Sequence, residues 1–242
     1  MIRIGIGGWN FPEWRGLFYP KGLPQKRELE YASNALSSIE INATYYRSQK
    51  PETFRKWHDE TPADFVFALK ASRFATNRRV LAEAGDSVAR FLGSGIVELG
   101  PKLGPINWQL AETKFFDPGD FSAFLDLLPA TFEGVPLRHA IEARHSSFAA
   151  PEAADLCRAR GIALIRSCDG KFPDIDVETA DFAYLRLMGT TDIDSGYDQQ
   201  GLDRWAAEAR RMATGRDLYL YVISGEKRRN PACAQALIER LR

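Results

Sequence analysis

Ala140–His145 reads Ala-Ile-Glu-Ala-Arg-His, and this short stretch decides the fold prediction. Side chains alternate along a strand, so Glu142 and Arg144 share one face and the apolar residues occupy the other. A carboxylate and a guanidinium on one strand face, with His145 at the strand end, are poorly suited to a hydrophobic core. They suit a binding site at the mouth of a barrel.

The rest of the chain repeats this plan, because apolar runs of strand length are separated by segments with helical spacing. Eight strands are predicted, at residues 2–6, 38–42, 65–70, 106–110, 140–145, 162–165, 182–187 and 218–222. The predicted helices cover residues 26–36, 51–60, 79–92, 121–128, 151–160, 202–213 and 231–241. Strands that alternate with helices form a parallel sheet, and eight such units predict a closed (β/α)8 TIM barrel, an α/β fold, as a single domain over residues 1–242.

An open, doubly wound sheet is the alternative fold for the same pattern. Its glycine-rich fingerprint is absent, because Gly5-Ile6-Gly7-Gly8 lacks the final spacing that a dinucleotide-binding turn requires. The length of 242 residues also agrees with the roughly 250 residues that a single barrel needs. The barrel is therefore the preferred prediction.

The composition narrows the class of protein. Lys+Arg 32 against Asp+Glu 32 gives no net charge, which argues against a broadly basic nucleic-acid-binding protein but allows a local basic patch. The three cysteines form no CxxC pair, and an odd number fits reduced thiols better than a disulfide framework. The first residues do not resemble a signal peptide and no run approaches 18 apolar residues, so we expect a cytoplasmic protein without a membrane partner.

Alternation along the strands indicates which side chains point into the barrel. The polar side chains on these inner faces include Asn42, Asn107 and Tyr184, and the main candidates among them are Glu40, Lys70, Gln109, Glu142, Arg144 and Arg186. They lie near the carboxyl ends of their strands, where barrel enzymes build their sites, so we expect them to converge at one mouth. Buried charges cost several kcal/mol each unless they are paired, so such a cluster is either compensated internally or used on a ligand.

Candidate roles follow from this placement. The catalytic candidates are Glu142, Glu40, His145 and Asp169, and the substrate-binding candidates are Arg144, Arg186, Lys70, Asn42, Gln109, Trp9 and Tyr46. Each has a structural interpretation that stays open: Glu40 and Glu142 as partners in salt bridges at the barrel end, Asp169 as a turn residue, His145 as a helix cap, and Trp9 as packing for the first loop. No metal ligand is assigned and no cofactor is identified.

Several segments resemble a bacterial and archaeal family known as domain of unknown function 72, the YecE-like proteins. The matching segments are Gly7-Gly8-Trp9, Trp14-Arg15-Gly16, Phe18-Tyr19-Pro20, Leu29–Ala32, Ile39–Arg47, Phe65–Lys70, Leu99–Pro105, Ile141–His145 and Ala180–Arg186. They cover nearly the whole chain in the family's order. The resemblance implies a TIM barrel, in agreement with the strand count, and it implies no established activity.

The chain departs from the family pattern at three places after predicted strands. It has Asn77 where relatives usually have a histidine, Met188 where they usually carry the histidine of Arg-x-His-Gly, and Ser224-Gly225 where an asparagine or aspartate pair is common. Each change removes a potential ligand or proton-transfer group. An activity that depends on those groups would be altered or lost in this member.

Three functions are compatible with these residues. The first is a hydrolase or related enzyme that acts on a phosphorylated or sugar-like anionic substrate, with Glu142 and Glu40 as acid and base and with Arg144, Arg186 and Lys70 holding the anion. The second is metal-dependent phosphodiester or sugar chemistry, by analogy with barrels of the endonuclease-four and xylose-isomerase type. The third is a non-catalytic module that binds an anion, a nucleotide or a nucleic-acid end. The sequence does not determine the substrate or the oligomeric state.

Overall fold

The fold is a barrel of parallel strands, described here by a computed structural model of residues 1–242. The strands are β1 Ile2–Gly7, β2 Ser38–Ile41, β3 Val66–Lys70, β4 Leu103–Gln109, β7 His139–Glu142, β8 Ala163–Leu164, β9 Arg166–Cys168, β10 Phe182–Leu187 and β11 Asp217–Val222, with a short antiparallel hairpin of β5 Thr131–Phe132 and β6 Val135–Pro136 outside the barrel. Their order in the sheet is β8-β7-β4-β3-β2-β1-β11-β10-β9, and every pairing is parallel.

The sheet closes on itself through a strand that is divided in two. The ends of the sheet order, β8 and β9, are consecutive in the chain and are separated only by Ile165. The first half pairs with β7 and the second half pairs with β10. The prediction of eight barrel strands is therefore confirmed, and the sixth strand extends beyond the predicted 162–165 to Cys168.

Helices surround this barrel. They are α1 Glu28–Ala35, α2 Ala43–Tyr46, α3 Pro51–Asp59, α4 Arg73–Thr76, α5 Gly85–Leu92, α6 Pro118–Leu125, α7 Pro151–Arg158, α8 Gln199–Met212 and α9 Asn230–Leu241. None of them combines the length and the apolar character that a membrane crossing would need.

Two predicted helix boundaries differ from the structure for local reasons. Helix α6 begins three residues earlier than predicted, because Asp117 caps it by accepting a hydrogen bond from the backbone N–H of Asp120 at 2.8 Å and Pro118 occupies its first turn. The segment predicted as one helix over 79–92 is a 3-10 turn, Leu81–Ala84, followed by α5. Helical spacing in the sequence is therefore correct for this segment, but it does not distinguish a 3-10 turn from an α-helix.

The apolar residues form two cores, one on each side of the sheet. The larger core, of 56 buried residues, lies between the strands and the helices. The smaller one fills the barrel with Ala68, Ala140, Ala163, Ile165, Phe182, Tyr184, Tyr219 and Tyr221. Three alanines, from β3, β7 and β8, leave room inside the barrel for the aromatic rings of β10 and β11. The alternation that the sequence predicted for β3 and β10 is confirmed by this separation.

Candidate functional site

A layer of polar side chains covers the aromatic barrel core at the carboxyl ends of the strands. Glu40 comes from β2, Lys70 from β3, Asn107 from β4, Glu142 from β7 and Arg186 from β10. We call these five residues the charged cluster, and all of them are at least nine-tenths buried. The structure thus brings together four of the residues that alternation selected, at the end of the barrel where it placed them.

Arg186 lies between the two carboxylates and contacts both. Its Nη2 donates a hydrogen bond to Oε1 of Glu40 at 3.1 Å, and its Nη1 lies 2.6 Å from Oε2 of Glu142. The second contact is an ion pair without hydrogen-bond alignment, which leaves Nη1 and Nε of Arg186 without an aligned acceptor. The carboxylates raise the pKa of Arg186 against the effect of burial, so this guanidinium stays charged.

Two neutral side chains complete the binding of the carboxylates. The amide nitrogen of Asn107 donates to Oε2 of Glu40 at 3.3 Å and to Oε2 of Glu142 at 3.2 Å. The hydroxyl of Tyr184 donates a short hydrogen bond to Glu40, and burial raises the pKa of this tyrosine well above its usual value. Glu40 therefore has three donors from two strands, Asn107 from β4 and both Tyr184 and Arg186 from β10. Such a site is fixed in position and has little freedom to move.

Glu142 is the best-compensated carboxylate of the cluster. Arg144, two residues further along, holds its Oε1 through Nε at 2.9 Å and Nη2 at 2.8 Å. Burial disfavours the charged form, but the positive charges of Arg186, Arg144 and Lys70 outweigh burial and lower the pKa of Glu142 to about 2. Glu142 is therefore an anion at any physiological pH, which does not suit it to the predicted role of general acid.

Lys70 has no such partner. Its side chain is 8% exposed, its Nζ makes no ion pair and donates no hydrogen bond, and the ring of Tyr45 lies 4.4 Å from it in a cation–π contact. Burial and the charge of Arg186 lower the pKa of Lys70 to about 8, although Glu40 and Glu142 oppose the shift.

Four buried polar atoms of the cluster and of Gln109 lack a hydrogen-bond partner. They are Oδ1 of Asn107, Oε1 of Gln109, and Nε and Nη1 of Arg186, of which Nη1 makes only the unaligned ion pair with Glu142. Gln109 is held from its other side, since its Nε2 donates to the hydroxyl of Tyr45 at 3.4 Å. Buried polar atoms are almost always paired in native proteins, so atoms of both signs left free at one place indicate a site for a bound molecule or ordered water.

Two of the predicted catalytic residues do not join the cluster. His145 caps the 3-10 turn Ser146–Ala149, where its Nδ1 accepts from the N–H of Ser147 at 3.2 Å, and its ring stacks on Phe115. Asp169 has a left-handed backbone (φ 56°) that turns its carboxylate toward α8, where Trp205 donates to it at 3.1 Å. The structural interpretations of His145 and Asp169, a cap and a turn residue, describe these contacts.

The same contacts count against metal-dependent phosphodiester or sugar chemistry, because its candidate ligands are not brought together. Glu40 and Glu142 are engaged by Arg186, and His145 and Asp169 point elsewhere. The structure contains no group of three or more His, Cys, Asp or Glu side chains arranged to hold a metal ion.

The remaining substrate-binding candidates lie around the mouth. Trp9 packs edge-on against Trp57 at 5.3 Å and, with Asn42, lines a small apolar cavity of about 260 Å³. Asn42 lies near the backbone carbonyl of Glu40, at 3.5 Å. Tyr46 is 62% exposed at the end of α2. These three residues belong to the rim of the mouth and not to the charged cluster.

The positions that depart from the family pattern also lie in the loops around the mouth. Asn77 accepts a hydrogen bond from the hydroxyl of Tyr45 at 3.4 Å, so it is connected indirectly to Lys70. Ser224 uses its hydroxyl within its own loop, where it donates to the carbonyl of Thr190 and accepts from the N–H of Glu226. Of the two, only Asn77 is joined to the charged cluster by the contacts described.

Sequence reasoning left four residues out of the predicted site. Asn107 and Tyr184 were on the correct strand faces, but attention to charge favoured their ionised neighbours. Tyr45 comes from the one-turn helix α2 and Phe172 from a loop, and both segments are too short for a period to predict direction. The ring of Phe172 lies 4.1 Å from the guanidinium of Arg144. A search for aromatic rings able to support Lys70 and Arg144 would have been the only available signal.

A surface groove lies beside the charged cluster, and no residue of the cluster lines it. It has a volume of about 900 Å³ and runs between the loops that follow β3 and β4. Its lining includes Asn77, Arg78, Arg79, Lys114 and Phe115. We give more weight to the cluster as the chemical centre, because the groove contains no residue of the cluster and its Lys114 is paired with Asp120 at 2.5 Å.

Comparisons with known proteins agree with this architecture. The family model described as "Protein of unknown function DUF72" matches residues 3–242. The UPF0759 protein YecE of Escherichia coli K12 is 26% identical, in an alignment that covers all of this chain and 93% of that protein. A DUF72 family protein of Thermotoga maritima has a similar crystal structure, with a TM-score of 0.78, 22% identity, and 100% of this chain and 98% of that chain covered.

A more distant structural likeness extends to an enzyme. D-psicose 3-epimerase, crystallised in the presence of D-fructose, superposes with a TM-score of 0.57 at 10% identity and covers 99% of this chain and 95% of its own. At this identity the likeness concerns the fold alone. The TIM-barrel prediction is confirmed, and so is the resemblance to the family.

Proposed function

The chain belongs to the DUF72 family of proteins of unknown function, and from its charged cluster we propose that it is an enzyme acting on a small anionic substrate, such as a phosphorylated or carboxylated sugar-like molecule. One observation carries the proposal: the side chain of Lys70 is only 8% exposed at the barrel mouth, and its ammonium makes no ion pair and donates no hydrogen bond. A cation in such a largely buried position, without a direct partner, is stabilised when an anion from outside binds to it.

The neighbouring residues support the same conclusion. Arg144 uses Nε and Nη2 on Glu142, which leaves Nη1 for a ligand, and Phe172 holds its plane from below. The charged cluster and Arg144 together carry three cationic and two anionic groups, so the mouth has an excess of positive charge. An anion bound by Lys70 and Arg144 would balance it.

The predicted hydrolase role of the two carboxylates is less well supported. Glycoside hydrolysis needs a sugar between an acid and a base or nucleophile, and here Arg186 occupies the space between Glu40 and Glu142. We assign both carboxylates to positioning: they hold Arg186 and Arg144 in place. The free amide oxygen of Gln109 is available to a hydroxyl group of the substrate.

Replacing Lys70 with methionine tests the anion site. Inorganic phosphate and glucose 6-phosphate are expected to raise the stability of the wild-type protein by about 2.7 kcal/mol at a hundredfold excess over Kd, and glucose is expected to have no effect. Lys70→Met should weaken phosphate binding about 10- to 100-fold, because a charge-assisted contact is lost. In the wild type, affinity should also fall above about pH 8 as Lys70 loses its proton. Thermal denaturation over a range of ligand concentrations and pH values measures both effects.

The matched control is Lys171→Met. Lys171 is an exposed lysine paired with Glu112 at 2.7 Å, and its Nζ lies 5.2 Å from the Phe172 ring, so its loss changes the charge of the surface equally and removes no direct contact with Lys70 or Arg144. Lys70→Met removes no ion pair and is expected to remain at least as stable as the wild type. Equal phosphate affinity in Lys70→Met and Lys171→Met would refute the proposal.

A second function is favoured by aromatic residues on the rim. The rings of Tyr46, Phe74 and Phe115 are each at least 60% exposed, and the guanidinium of Arg73 lies 6.0 Å from the Tyr46 ring and 5.6 Å from the Phe74 ring. Exposed rings with arginines between them provide stacking platforms for unpaired bases. A nucleotide or the end of a nucleic-acid strand would fit this rim and the basic groove beside it.

The rim hypothesis predicts a loss of oligonucleotide binding on removal of the rings. A fluorescent single-stranded oligonucleotide should bind the wild type at low salt, and Tyr46→Ala combined with Phe74→Ala should reduce affinity by about 1–3 kcal/mol per stacked base. Fluorescence anisotropy measures the change. Ile193→Ala, which removes an exposed apolar side chain elsewhere, is the control. An absence of wild-type binding at low salt rules out this second function.

A further inference from the structure

Lys70 is the only ionisable side chain of the charged cluster without an ion pair. Its backbone is fixed, because the carbonyl of Lys70 accepts a hydrogen bond from the hydroxyl of Thr44 at 2.7 Å and β3 pairs with strands on both sides. The amine therefore projects from a rigid strand end toward the mouth, with the Tyr45 ring on one side. Residues at this end of a barrel strand are placed to act on a ligand.

A second buried lysine shows how the same protein stabilises a structural ammonium. Nζ of Lys102 donates to the carbonyl of Thr61 at 2.7 Å, to the hydroxyl of Thr61 at 3.2 Å and to the carbonyl of His58. All three protons of Lys102 are engaged. Lys70 has none of these acceptors, so its amine is available for chemistry and that of Lys102 is not.

The surroundings of Lys70 favour a reactive amine. Lysine is nucleophilic only without its proton, and desolvation together with a neighbouring cation is the usual way to activate it. Both are present, because Lys70 is buried and Arg186 lowers its pKa. With a pKa of about 8, roughly a tenth of the Lys70 side chains would be neutral at pH 7, against fewer than one in a thousand for an exposed lysine.

We infer that Lys70 is a nucleophilic catalytic residue that forms an imine with the carbonyl group of an aldehyde or ketone whose carboxylate or phosphate is held by Arg144. The inference rests on the proposed function and names its substrate class. The neutral amine attacks the carbonyl carbon, and one proton of its nitrogen passes to the carbonyl oxygen to give a neutral carbinolamine. The hydroxyl group of the carbinolamine then takes up a proton from solvent and leaves as water, so the product is a protonated carbon–nitrogen double bond. No oxidation or reduction is involved, and the imine can withdraw electrons from the adjacent carbon.

Reductive trapping tests the inference on the full chain. Glyoxylate, a small aldehyde with a carboxylate, is added with sodium cyanoborohydride, and peptide mass spectrometry then locates the reduced adduct. We expect Lys70 to be modified about 10- to 100-fold faster than the exposed lysines at pH 7, in line with its larger neutral fraction. Its modification rate should rise with pH and level off above about pH 8, and excess phosphate should slow it.

Lys70→Arg separates this inference from the proposed function. Arginine keeps a cation at the mouth but does not form the imine, so the variant should bind phosphate and lose the fast adduct. The reference residue within each sample is Lys102, which should stay unmodified. If wild-type Lys70 is modified no faster than exposed lysines while phosphate still binds, the imine is wrong and the anion site stands. If phosphate affinity is the same in the wild type and in Lys70→Met, the anion site itself is wrong.

Discussion

Replacing Arg186 with methionine is expected to lower the free energy of unfolding by about 3–5 kcal/mol. The reason is that Arg186 is 2% exposed and is the only cation that contacts both Glu40 and Glu142. Without it, two carboxylates would remain inside a barrel that is filled from below by tyrosine and phenylalanine rings. Urea denaturation at pH 7, followed by circular dichroism, measures the change.

The carboxylates themselves supply the control for this prediction. Adding Glu40→Gln and Glu142→Gln to Arg186→Met removes the uncompensated charges and keeps groups of similar size, so the triple variant should recover most of the lost stability. Lowering the pH should also stabilise the single variant relative to the wild type, because protonation neutralises Glu40, which then has no ion pair, whereas Glu142 keeps its ion pair with Arg144. If Arg186→Met and the triple variant are equally destabilised, packing around Arg186 matters and the charge balance does not. Should the single variant fail to fold, the triple variant still allows the comparison with the wild type.

Glu142 is expected to contribute roughly 3 kcal/mol of stability that disappears in acid. Its pKa in the folded protein is about 2, below the ordinary value of 4.5 that applies to the unfolded chain. A lowered pKa means that the unfolded state binds the proton more readily than the folded state does. The contribution is therefore complete above about pH 4.5 and is lost as the pH falls toward 2.

The measurement is a comparison of two pH profiles. Free energies of unfolding of the wild type and of Glu142→Gln are determined by urea denaturation between pH 7 and pH 3. Glutamine does not titrate, so the difference between the two proteins should be constant above about pH 5 and should narrow below it. Protonation of the other carboxylates lowers the free energy of unfolding equally in both proteins, so their contribution cancels in the difference. Parallel profiles down to pH 3 would show that the positive charges around Glu142 do not lower its pKa.

The contribution of the sequence is clearest for the barrel itself. Period-two patterns placed strands at 182–187 and 218–222 within one residue of β10 and β11. The same alternation indicated that Glu40, Lys70, Glu142 and Arg186 share the inner side, because a strand has only two faces and the apolar residues occupy the outer one. These predictions hold since each depends only on neighbours in the chain.

Which residues of the charged cluster pair with one another depended on the tertiary structure. Whether Arg186 holds a substrate or holds Glu40 and Glu142 is a question of distances between strands that are far apart in the sequence, and so is the absence of a counterion for Lys70. The directions of the side chains in loops could not be predicted from the sequence for another reason. The left-handed backbone at Asp169 and the capping bond of His145 turn both side chains away from the cluster, and no periodicity predicts such turns.

The sequence by itself determined the barrel, its family and which charged side chains reach the inside of the mouth, because alternation and helical spacing are local properties of the chain. Only the tertiary structure decided which of those charges neutralise one another and which one is left free. Pairing depends on separations of a few ångströms between residues that are more than 100 positions apart, as Glu40 and Glu142 are. Coulomb energies and desolvation change steeply over such distances.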